Sequence, residues 1–140
     1  MKIMGLDLGS RTCGIAISDP SGILATGLET FRFEEDNYQV CLDYLLNIID
    51  NNKVEEIVIG LPKNMDGSLG FQAQKSQNFK EMLEKKVSIP VVLFDERLTS
   101  RVALNQMISA NSKKDKRKTD IDRIAAQIIL QDYLDYKKKR

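Results

Sequence analysis

Apolar and polar positions change rhythm along the chain, and the changes mark its elements. Ile3 to Leu8 is apolar apart from Gly5 and Asp7, which predicts a central strand. Gly14 to Ser18 (GIAIS) predicts a second strand, and the turn SRTC between the two suits a hairpin. Asp19-Pro20-Ser21-Gly22 is a turn signal, and a third strand follows from about Ile23 to Phe33. These three runs make an opening antiparallel meander.

The spacing then lengthens to three and four residues. Val40, Tyr44, Leu45, Ile48 and Ile49 predict a helix from Asn37 to Asp50. Val54 to Leu61 (VEEIVIGL) is rich in branched residues and stops at Gly60 and Pro62, as a buried parallel strand does. After the polar loop KNMDGSLG, Phe71 to Lys85 reads as a helix with Phe79, Met82 and Leu83 inward. Val91 to Phe94 is the next strand, ending at Asp95-Glu96-Arg97. Thr99 or Ser100 caps a helix to about Ala110. Asn111 to Lys118 is a charged loop. Thr119 to Tyr136 is the last helix, with Ile121, Ile124, Ala125, Ile128 and Leu130 to Leu134 as core candidates. The order predicts an α/β fold: a mixed five-stranded sheet, meander first and then β-α-β-α-β, with helices on both faces. At 140 residues, 42% of them apolar, the chain is one domain's length, taken as 1–140, with enough apolar material for one core.

Composition narrows the chemistry. The chain contains 0 His, which removes Ser-His-Asp triads, Cys-His pairs and histidine-based zinc or haem sites. Cys13 and Cys41 are too few for an all-thiolate zinc site and read as core thiols in a reducing compartment. The N-terminal MKIMGLDLGS is neither a signal peptide nor a membrane span, so the expectation is a soluble cytoplasmic protein with no membrane partner. Carboxylates, lysines, arginines and hydroxyls remain, together with any oxygen-loving metal they hold.

Net charge is +1 but uneven. Residues 113–140 carry ten of the 21 basic residues against five acids, a local +5; the rest of the chain, with 11 basic and 15 acidic residues, is −4. A basic end on an acidic body is a phosphate footprint, although KKKR at the terminus also suits an ordinary solvated tail.

Asp7 lies within an apolar strand, where a carboxylate needs a partner or a metal. Gly5, Gly9 and Gly14 flank it and let backbone or ligand come close. Such a strand suits the phosphate-binding hairpin of actin-like ATPases and sugar kinases, or the metal-binding strand of ribonuclease H-type enzymes. Asp95 and Glu96 end another strand, where sites of α/β folds lie. Asp122 sits in the first turn of the last helix. Thr119-x-x-Asp122 resembles a capping box, yet Asp122, Ala126 and Ile129 share a face that also carries core residues, and Ala125 and Ala126 let the helix sit close. Three acids from separate elements meeting at one end of the sheet would form a hard-oxygen site suited to Mg²⁺ or Mn²⁺.

Four segments in order resemble the YqgF (RuvX) family of the ribonuclease H-like superfamily. They are MGLDLGSRTCGIAISDP, EEIVIGLPKNMDGSLG, VVLFDERLTS and KTDIDRIAAQIILQDYLD. The resemblance covers nearly the whole chain and implies a ribonuclease H-like fold. It implies metal and catalytic roles for Asp7, Glu96 and Asp122, with Asp95 as the alternate second acid or as the group that orders Arg97. The family is similar to RuvC-type Holliday junction resolvases, which use a fourth acid three residues after the third. Here Ala125 stands in that place, and Ile57-Val58-Ile59 offers no acid on the fourth strand.

The resemblance implies a metal-dependent endonuclease, either maturing the 5′ end of 16S ribosomal RNA or resolving four-way DNA junctions. Its partner would be nucleic acid, structured RNA or branched DNA. The RNA role is preferred: paired cuts favour a stable dimer, and four Tyr, five Phe and no Trp offer little to anchor one, so a monomer or weak dimer is expected. A nucleic-acid-binding factor without catalysis is the other reading, supported by the missing fourth acid. Lys63 and Asn64 are candidate phosphate or sugar contacts, or an ordinary polar turn. Arg97 is a candidate bidentate phosphate ligand, or a partner of Asp95. Lys116, Arg117 and Lys118, within the basic run 113–118, would steer a polyanion without reading its sequence.

Overall fold

The computed structural model describes residues 1–62, 66–96 and 121–138. Strands β1 (Ile3–Leu8), β2 (Thr12–Ser18) and β3 (Ala25–Arg32) form the meander, followed by α1 (Tyr38–Asn52), β4 (Glu56–Leu61), α2 (Phe71–Glu84), β5 (Val91–Asp95) and α3 (Ile121–Lys138). The sheet order is β3-β2-β1-β4-β5. β1–β2 and β2–β3 pair antiparallel, while β1–β4 and β4–β5 pair parallel. This is the mixed sheet that the order of elements predicts. The helix expected from Thr99 or Ser100 lies outside the described residues.

Alternation along the strands sorts the side chains onto two faces. Met4, Leu6, Leu8, Cys13, Ile15, Ile57 and Ile59 point one way, under Leu42, Leu45 and Ile49 of α1 and Phe79 and Leu83 of α2. Ile3, Ala16, Val58 and Phe94 point the other way, under Ala126, Ile129, Leu130 and Tyr133 of α3. Cys13 and Cys41 are free thiols buried in the first of these cores. Their mutual contact and burial push the Cys13 thiol up, so it stays protonated and behaves as a small apolar group.

Several expectations shift. β2 begins at Thr12, inside the expected turn, and Ile121, Ile124 and Ile128 of α3 are only half-buried. Val40 is exposed, because Cys41 and Leu42 take the inward positions of the first turn of α1. The third strand starts at Ala25 rather than Ile23, because Asp19 Oδ1 accepts the Ile23 and Leu24 N–H groups at 2.7 and 3.0 Å and holds both residues in the turn. Such Asx contacts compete with strand pairing.

Helix α3 lies unusually close to the sheet because glycine floors its path on four strands. A Cβ on Gly14 of β2 would stand 1.8 Å from the Asp122 carbonyl oxygen. On Gly5 of β1 it would stand 2.7 Å from Leu130 Cβ, on Gly60 of β4 2.7 Å from Ile129 Cδ1, and on Gly27 of β3 2.9 Å from Arg123 Cγ. Hydrogen bonds fix the helix along the outer strand. The Arg123 N–H donates to Thr30 Oγ1 at 3.0 Å, while the Gln127 and Gln131 side-chain oxygens accept the Gly27 and Ala25 N–H groups at 3.1 and 2.9 Å. At the far end, the Tyr133 hydroxyl and Lys137 Nζ both donate to buried Glu56, the latter at 2.8 Å.

These contacts grade the cost of filling the floor. Gly14→Ala drives a methyl into backbone and is expected to destabilise by about 3 kcal/mol or more, beyond ordinary overpacking. Gly27→Ala meets chiefly side-chain atoms that can move, with one backbone oxygen at 3.1 Å, and is expected to cost about 1 kcal/mol. Urea unfolding of the two variants checks the order; equal midpoints would contradict it.

Candidate active site

Asp7 belongs to the α3 face of β1, with Ile3 and Gly5, so its carboxylate rises toward the helix rather than into the larger core. Its neighbour on β2 is Gly14, with which it pairs. On the other side the β1–β4 register, Leu6 with Ile59, leads next to Gly60. The acid therefore stands between two residues without side chains. Glu96 follows β5 immediately, and the space above Gly60 holds its carboxylate: a Cβ there would stand 2.7 Å from Glu96 Oε1. Glu96 hydrogen-bonds the Asp7 carboxyl across this gap. Asp122 enters from above in the first turn of α3, where its own carbonyl lies over Gly14.

Glu96, not a β4 residue, is thus the carboxylate hydrogen-bonded to Asp7, and glycine on β4 makes its reach possible. Asp95 is directed otherwise. It pairs with Leu61, one position out of phase with Glu96, so alternation turns it to the opposite face of β5. Neighbouring helices pin the end of β1. Gln72 Nε2 donates to the Leu8 carbonyl at 3.0 Å, and the Tyr38 hydroxyl donates to the Gly9 carbonyl at 3.3 Å.

The arrangement is electrostatically costly. Burial, then the charges of Glu96 and Asp122, then the Glu96 hydrogen bond push Asp7 up from 3.8 to about 8. Part of the Asp7 surface still meets solvent, yet protein surrounds most of the carboxylate, and loss of hydration dominates. At neutral pH the Asp7 carboxyl therefore holds its proton. A divalent cation reverses this logic by favouring the ionised forms. The donor set of Asp7, Glu96 and Asp122 is all oxygen and fits Mg²⁺ or Mn²⁺ in kind. Among the described residues, no group of three or more acids or thiols stands as a ready-made metal cage.

Lys63, Asn64, Arg97, Lys116, Arg117 and Lys118 lie outside the described residues. Two features escape the sequence reading. One is the role of Gly60, whose signal is a glycine inside the branched run of β4. The other is Arg11, an exposed cation in the β1–β2 turn just beyond Asp7, 3.6 Å from Glu35. Among the described residues, no helix is long and apolar enough to cross a membrane.

Over residues 1–136 the chain matches the family described as RuvX, Holliday junction resolvase. A Listeria monocytogenes protein named "Putative pre-16S rRNA nuclease" is 47% identical over 135 residues, 96% of this chain and 98% of its own length. A Staphylococcus aureus protein of the same name is 49% identical over 135 residues, 96% of this chain and 95% of its own. RuvC of Thermus thermophilus shares the fold, with a TM-score of 0.59 at 10% identity, covering 99% of this chain and 97% of that one.

A raised carboxyl pKa makes stability fall as pH rises. The folded protein holds the Asp7 proton more tightly than the unfolded chain does, so the contribution is complete below 3.8 and is lost as pH climbs through about 8. Asp7→Asn stays neutral throughout. Its melting temperature relative to wild type is expected to rise between pH 4 and pH 9, and added Mg²⁺ at the upper end is expected to stabilise only the wild type. A difference that does not change with pH would contradict the assignment.

Proposed function

Because the chain belongs to the RuvX family of Holliday junction resolvases, we propose that it is a divalent-metal-dependent endonuclease that hydrolyses phosphodiester bonds in 5′-end maturation of pre-16S rRNA, in the cytoplasm. The observation that supports this reading is the buried Asp7 carboxyl, hydrogen-bonded by Glu96 and raised in pKa by the Asp122 charge, over a glycine floor. Relatives 47% and 49% identical over nearly their whole length, both named for pre-16S rRNA, support RNA as the substrate.

Asp7, Glu96 and Asp122 would hold the ion. What a bound Mg²⁺ or Mn²⁺ supplies is positive charge, which acidifies a water nucleophile and stabilises the departing oxyanion. The chain's own contribution is the cradle. Gly14 and Gly60 leave the Asp7 carboxylate uncrowded on both sides, so a bulky phosphodiester can approach it. Glu96 hydrogen-bonds the Asp7 carboxyl and so orients it. Arg11, at the lip, and the basic run Lys113 to Lys118 with Lys63, Asn64 and Arg97 are the proposed contacts to the polyanion.

The family's description favours a second reading, cleavage of a four-way DNA junction. One gel compares the two: a labelled pre-16S 5′ leader and a four-way junction, each with Mg²⁺ or Mn²⁺, with EDTA, and with the Asp7→Asn protein. Cleavage of the leader is expected. EDTA should abolish it, and Asp7→Asn should reduce it by at least about 100-fold, more than an outer-shell defect gives. Symmetric cuts in the junction alone would establish the resolvase reading. Identical lanes for wild type and Asp7→Asn would leave a nucleic-acid-binding factor.

A further inference from the structure

Phe71 is the most exposed large apolar side chain among the described residues, at 78%. It opens α2, next to Leu69, which is also exposed. Single exposed apolar residues are common and need no function. This ring differs in being held in place against the end of the strand that carries Asp7. Lys75, one turn along the helix, sets its ammonium 4.4 Å from the ring centroid. Asp36 fixes that lysine at 2.6 Å, and the Asp36 N–H donates to the Ser10 carbonyl at 2.8 Å. Ser10 lies in the β1–β2 turn, three residues beyond Asp7. The residue after Phe71, Gln72, donates to the Leu8 carbonyl, adjacent to Asp7. Two independent tethers thus tie the ring to the end of β1, at the residues just beyond Asp7.

Resting on the reading of the site as a nuclease, we propose that Phe71, braced by Lys75, is a stacking platform for an unpaired nucleobase of the substrate strand. A flat ring with one face on a cation and the rest in solvent offers a surface that any base can cover, so recognition is indifferent to sequence. Bases inside a continuous duplex are already stacked and cannot use it. The platform therefore selects strands with unpaired or splayed bases beside the scissile bond. Lys75 and Asp36 lower the ordering cost by fixing the ring before the base arrives.

The test is binding, with EDTA present so that no strand is cut. Affinity is measured for a short unstructured RNA and for the same sequence in a duplex. Phe71→Ala is expected to weaken single-strand binding by about 5- to 100-fold, the usual worth of one stacked base, and to leave duplex binding unchanged. Phe71→Trp is expected to restore it. The natural chain has 0 Trp, so that variant carries a single tryptophan whose emission should be quenched by the single strand and not by the duplex. Unchanged single-strand affinity for Phe71→Ala, equal losses on both RNAs, or unquenched emission at saturation would overturn the proposal. So would a change of oligomeric state in Phe71→Ala, since it would mean that a second copy covers the ring. Asp7-dependent cleavage with binding indifferent to Phe71 would sink the platform alone. Phe71-dependent single-strand binding without Asp7-dependent cleavage would sink the nuclease reading alone.

Discussion

Helix α3 rests on glycines where most helices rest on side chains. Gly5, Gly14, Gly27 and Gly60 come from four different strands, and each would drive a Cβ to within 3 Å of the helix or of what packs beside it. At Gly14 the helix backbone itself fills the place of the missing methyl. Asp122 is brought down to Asp7 by this approach, and Glu96 reaches Asp7 through the gap that Gly60 leaves. The glycines cost the strands intrinsic stability. The hydrogen bonds from α3 to β3 and the buried Glu56–Tyr133–Lys137 group help to hold the helix in place despite that cost.

Burying the Asp7 carboxyl beside Glu96 and within the field of Asp122 is electrostatically unfavourable, and Asp7 answers by holding a proton near neutral pH. Such arrangements are found where chemistry needs them. The strain has a use under the proposed function. A site that repels its own charges has much to gain from a divalent cation, and a polyanion enters more readily once that cation has reversed the local field. Under the same proposal histidine is dispensable, since oxygen donors and a metal can together do the work of a general base.

Much of this was legible in the sequence. Periodicity located every strand and helix among the described residues to within a few positions, and a charged residue inside an apolar strand singled out Asp7. The shared face of Asp122, Ala126 and Ile129 pointed inward, as the buried Ala126 and Ile129 bear out. What escaped depends on register. Asp95 and Glu96 are neighbours in the chain, and only the pairing of Asp95 with Leu61 sends one away from Asp7 and the other toward it. Gly60 looked like the end of a strand because the residue above it, Glu96, is 36 positions along the chain. Val40 fitted a helical repeat as well as Cys41 and Leu42 did, and packing against the sheet decided between them.

Cation binding by the proposed triad is the central claim, and a Mn²⁺ titration followed by electron paramagnetic resonance tests it without any substrate. Wild type should bind saturably, and Asp7→Asn, Glu96→Gln and Asp122→Asn should each weaken binding by at least about 10-fold. Asp95→Asn should follow the wild-type curve. A wild-type curve from Glu96→Gln together with lost binding in Asp95→Asn would contradict the account.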